Sequence, residues 1–137
     1  MQHLLISSVC AVLIGMAQPS YAHSNHHGGQ HDEQVELAMK KMQRAYRAAL
    51  RSDTIEQLKP AVAQLIDVTR QASTLHYGIK ATEHTDYQNG MQQLRTDLEQ
   101  LRLAVAANDF ALAKRILSQQ IKATRDQAHD KLGVEKE

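Results

Sequence analysis

From Val35 to Leu132 the apolar residues of this chain return at every third or fourth position, and nowhere in that span do they alternate. Steps of three and four line up one face of an α-helix, whereas a half-buried strand needs a period of two. Four segments carry the pattern. Val35, Met39, Met42, Tyr46 and Ala49 form the first stripe, and Ile55, Leu58, Val62, Leu65, Thr69, Ala72 and His76 the second. Tyr87, Met91, Leu94, Leu98, Leu101 and Val105 form the third and cleanest; Phe110, Ala113, Leu117, Ile121, Thr124, Ala128 and Leu132 form the fourth. Polar residues fill the other faces, so each helix buries one side only. The expected fold is all-α, an antiparallel up-down-up-down four-helix bundle with rods crossing at about 20°.

Local signals divide the rods. Asp53 with Glu56 is the expected capping pair of the second helix, and Thr85 with Gln88 that of the third. The longest link would then be "IKATEHTDYQNG", with Gly78 punctuating the end of the second helix and Asn108 capping the fourth. Pro60 means either that the second helix starts near it or that it kinks there.

The bundle occupies residues 33–133. Residues 1–22 read as a cleaved secretory signal: Leu4 to Met16 is an apolar run too short to span a bilayer, and Ser20-Tyr21-Ala22 offers a peptidase its small residues. No membrane span is expected after cleavage. The only cysteine, Cys10, falls in this leader, so the mature chain has no disulfide, thiolate metal site or covalent c-type haem. Residues 23–32 read as a flexible histidine-rich tail, with His23, His26, His27 and His31 among Gly, Ser and Asn. Lys and Arg total 16 against 15 Asp and Glu, and aromatics are 4% of the chain. A balanced, aromatic-poor chain is not built for nucleic acid.

Topology then concentrates chemistry at one end. In an up-down-up-down bundle the start of the first helix, the link between the second and third, and the end of the fourth lie together. Met39, His76, Tyr77, His84, Tyr87, Met91 and His129 are thereby gathered, while the opposite end holds only Arg51, Ser52, Asp53 and the Asn108–Asp109 turn. A thioether facing an imidazole suits a six-coordinate haem iron, an electron-transfer site with both axial positions filled. Zinc fits less well, since it prefers imidazole, thiolate and carboxylate; Cu(I) accepts both donors and remains a competitor. Taken singly, Met39 reads as core packing and His129 as a cation at a helix C-terminus. His76 and His84 read as satisfied or exposed histidines near the site.

"VELAMKKM", with Met39, and "KATRDQAHDKL", with His129, resemble the two haem-ligand segments of the soluble cytochrome b562 family. "DYQNGMQQL" opening the third helix and the "AANDF" turn before the fourth are similar too. The resemblance implies a periplasmic bundle with one non-covalent haem b per chain, and Met39 and His129 as axial ligands. Under it, Tyr87 and Met91 line the cofactor pocket where the family tends to place phenylalanine, and Arg125, one turn before His129, suits a haem propionate. Met42 is the rival thioether. Asp126 and Asp130 are the candidate acceptors for the other ring N–H of His129. The chain departs from the family near Ala113 to Gln120, where the fourth helix runs one residue out of register. His129 also sits about 90° to one side of its stripe at 100° per residue.

The leading expectation is a monomeric electron carrier that is not an enzyme and serves an unidentified redox partner. The alternative is a periplasmic copper- or zinc-binding protein that uses the histidine-rich tail, with the bundle as scaffold. A cofactor-free bundle that binds other proteins is the third.

Overall fold

The structure, a computed structural model, describes residues 29–134, with side chains from Glu33 onward. The expected signal segment and His23, His26 and His27 lie outside the described residues. His31 falls within the first helix, its side chain outside them.

The rods are α1 (Gly29–Arg51), α2 (Ile55–Ala72), α3 (Ala81–Ala106), and a fourth rod in three continuous parts. The fourth runs from α4 (Phe110–Arg115) through a π-helical turn (Ile116–Ile121) into α5 (Lys122–Leu132). There is no strand among the described residues. Packing follows chain order: α1 against α2, α2 against α3, α3 along the whole fourth rod, which returns to α1 through the π turn. The result is the antiparallel up-down-up-down bundle expected from the stripes. No helix among the described residues is long and apolar enough to cross a membrane.

Helix starts are set one to five residues away from where the capping signals pointed. For α2 the N-cap is Thr54, whose hydroxyl accepts from the Gln57 N–H, while the Gln57 amide accepts from the Asp53 N–H. The capping side chains are thus those of Thr54 and Gln57 rather than Asp53 and Glu56. For α3 the Glu83 carboxylate accepts from the N–H groups of Ile79 and Lys80, and this starts the helix at Ala81. Thr85 lies inside α3 and donates to the Ala81 carbonyl; Gln88 reaches back to the carbonyls of Ser73 and Leu75. For α4 the N-cap is Asp109, which accepts from the Leu112 N–H, and Asn108 supplies the left-handed turn before it at φ 54°. Pro60 sits within α2 without ending it.

The core divides in two. The larger part, toward the Arg51 and Asn108 turns, is aliphatic apart from Tyr46 and the partly buried Phe110: Ala45, Leu58, Leu65, Leu101, Leu117 and Ile121 are among its buried members. The smaller part, at the other end, is built from Val35, Met42, Ala72, Tyr87 and Met91, with Met39, Tyr77 and Leu132 packed on it. The π turn belongs to the larger part. Its Ile116, Leu117 and Ile121 are buried, and the Leu117 carbonyl accepts from the Tyr46 hydroxyl at 2.7 Å, tying the fourth rod to α1.

A π turn takes up one extra residue and so resets the phase of everything after it by about 100°. The turn, Ile116–Ile121, overlaps the stretch from Ala113 to Gln120 where the register was expected to shift. Beyond it, α5 presents Thr124, Arg125, Ala128 and His129, all half-buried, to the cavity at this end.

Candidate functional site

A cavity of about 120 Å³ lies in the smaller part of the core, between the first half of α1, the first half of α3 and α5. Met39, Tyr87, Met91, Arg125 and His129 all line it. The structure therefore brings to one place every residue expected around a cofactor. Val35, Met42, Tyr77, Gly90, Leu94, Thr124, Ala128, Leu132 and Val134 complete a wall that is almost wholly apolar.

Each side chain has its own local reason to be there. Met39 follows Val35 by four residues and precedes Met42 by three, so the three share one face of α1. His129 stands in the last turn of α5. Its carbonyl accepts from the N–H groups of Gly133 and Val134, and Gly133 takes the left-handed conformation (φ 66°) that ends the helix. Tyr87 is buried, and its hydroxyl donates to the Ala72 carbonyl at 2.6 Å. Burial pushes its pKa up to about 12, so it remains a neutral donor throughout the physiological range. Its ring stacks on Tyr77, with centroids 5.3 Å apart, which joins the α2–α3 link to the wall.

Gly90 sets the approach of α3 to α5. A Cβ at this position would lie 3.2 Å from the Ala128 Cβ, closer than ordinary contact. Arg125 sits at the edge of the cavity, with its side chain about one-third exposed. It donates from Nε and Nη2 to one oxygen of Asp126 and lies 5.8 Å from the centre of the Tyr46 ring. Lys122 binds the other oxygen of Asp126. Hydrogen bonds from Lys122 and then Arg125 hold the Asp126 carboxyl down at about 2. Both of its oxygens are thus engaged by cations.

His76 and His84 stay outside the cavity wall. Their rings stack at 4.2 Å, and His84 Nδ1 accepts from the Tyr77 N–H at 3.3 Å, so this pair braces the link.

Sequence reasoning missed Asp97. It is fully buried on α3 and accepts from Gln93, from Gln120 at the end of the π turn, and from Thr124 on the cavity wall. A charged residue between Leu94 and Leu98 was the available signal, but its donors come largely from a different rod. Among the described residues no group of three or more His, Cys, Asp or Glu is placed to hold a metal ion. The donors that converge on the cavity are thioethers and one imidazole, a set suited to soft or borderline metals.

A family model for cytochrome b562 matches residues 34–132. No curated protein matches the chain.

Proposed function

Because the chain belongs to the cytochrome b562 family, whose members are haem-binding electron carriers, we propose that it is a periplasmic electron carrier holding one non-covalent b-type haem between Met39 and His129. The observation that carries this reading is that a thioether from α1 and an imidazole from α5 line the same apolar cavity. The donor chemistry fits: one neutral nitrogen and one neutral sulfur, from rods that run in opposite directions, can approach an iron from two sides. When bound, the haem supplies a one-electron couple, and the thioether favours its ferrous state. Met39 and His129 would be the residues that hold the haem, and the chemistry it would supply is one-electron transfer rather than turnover of a substrate.

The remaining residues orient and seal. Tyr87, Leu94 and Leu132 give the cavity an apolar wall that would limit water at a bound cofactor. Arg125, already aimed along the cavity edge by Asp126 and Tyr46, is the partner for a propionate. The cavity is smaller than the roughly 300–1,000 Å³ of pockets that take drug-sized ligands. Widening it falls to Met91 and Met42, whose three-bond side chains are the most easily rearranged in a core. Export to the periplasm rests on the leader read at residues 1–22.

Titration of the haem-free protein with haemin tests the proposal. One equivalent should be taken up, and the reduced form should show the sharp α band of low-spin haem. A protein that leaves the haemin spectrum unchanged rejects it.

A further inference from the structure

We propose that the same cavity is also a binding site for a single Cu(I) ion, held by the thioethers of Met39, Met42 and Met91 with the imidazole of His129. This occupant shares the cavity with the proposed haem but does not depend on it.

The first ground is where the methionines are. The chain has five, of which Met1 and Met16 lie in the leader. Each of the others, Met39, Met42 and Met91, lines this one cavity. The larger core cluster, with more than twice as many buried members, contains none. Methionine used only as a flexible filler would be distributed through both clusters. Here sulfur is confined to the end of the bundle that holds His129.

The second ground is donor chemistry. Neutral thioethers with one imidazole form a soft set, which selects Cu(I) over the harder divalent ions. The competing donors that would favour zinc do not converge anywhere among the described residues. Arg125 does not bring uncompensated positive charge to the site, because Asp126 is bound to it.

The third is space and direction. Met39 and Met42 project from one face of α1, Met91 faces them from α3, and His129 from α5. The donors thus surround the cavity from three rods. Its volume of about 120 Å³ is ample for an ion, since one water takes roughly 30 Å³. The sulfur positions can adjust through side-chain rotation alone. Haem and Cu(I) would then exclude one another, and the haem-free chain would be the copper-binding form.

The test uses the haem-free exported protein, from which the leader with Cys10 is removed, titrated anaerobically with Cu(I) as its bicinchoninate complex. One Cu(I) per chain should be withdrawn from the chelator. Met42→Leu and Met91→Leu should each weaken uptake about tenfold or more, within the 10–100-fold range seen when a metal site is disturbed. Leucine conserves volume and so leaves the bundle folded. Replacing His23, His26, His27 and His31 together by Gln should leave one strongly held Cu(I), and haemin added first should block its uptake. X-ray absorption of the copper-loaded parent should show sulfur scatterers. Unchanged affinity in both methionine variants, loss of binding on replacing the four N-terminal histidines alone, or a copper shell of nitrogen and oxygen only would each overturn the proposal. Failure of haemin to bind leaves the methionine dependence of copper uptake to be read as before, so the two occupants are judged separately.

Discussion

Tyr87 and Asp126 show how single side chains set this end of the bundle. The Tyr87 hydroxyl is buried and bonded to the Ala72 carbonyl, the last of α2. Tyr87→Phe keeps the ring stacked on Tyr77 and removes only the bond. The expected loss is about 1 kcal/mol, measured as a lower urea midpoint with unchanged slope. Asp126 acts through charge. Lys122 and Arg125 lower its folded-state pKa from 3.8 to about 2, so its ionised form favours the folded chain. The stabilisation is full above pH 4 or so and fades as pH falls toward about 2, where the folded-state carboxylate takes up its proton. A carboxyl titration followed by NMR should give that depressed midpoint, and Asp126→Asn should flatten the dependence of stability on pH in the same window. Because Asp126 is near the surface, added salt should shrink the effect.

At the scale of elements, the π turn is the decisive feature. It ties to α1 through Tyr46 and to α3 through the contact of Gln120 with Asp97. It also leads directly into α5, whose His129 lines the cavity. Deleting Gln119, an exposed residue of the turn, should restore a plain α-helix and rotate α5 by about 100° relative to α4. Far-UV circular dichroism should show helix content little changed, while haem affinity falls at least tenfold. A variant that binds haem as tightly as the parent would show that the turn does not orient His129. The four stripes and their order were legible from periodicity alone, and with them the meeting of Met39 and His129. Helix starts were less so. Asp53 and Thr54 are both good N-cap residues, and only the path of the backbone selects Thr54. The start of α3 is set by Glu83 reaching two N–H groups, which no spacing rule announces. Asp97 is held across two rods, so its burial is a tertiary fact. In the cavity, Met42 could be read equally as core or as donor, and Gly90 revealed its close approach only once Ala128 was seen opposite it.

For the molecule as a whole, chain direction decides what can happen. The α1 and α5 rods run opposite ways, so residues 90 positions apart share a cavity, and the mostly aliphatic half of the core stabilises the bundle without taking part in the site. Such a division lets the ligand-binding end rearrange while the far end holds the rods in place. It also predicts that loss of either axial ligand should change the iron and spare the fold. The most direct measurement is the absorption spectrum of haem-loaded parent, Met39→Ala and His129→Ala at equal helix content. The parent should be low-spin, and each variant should become high-spin, whereas Met42→Ala should remain low-spin. If both Met39→Ala and His129→Ala keep the parent's low-spin spectrum, the iron is held by other residues and the proposed grip from α1 and α5 is wrong.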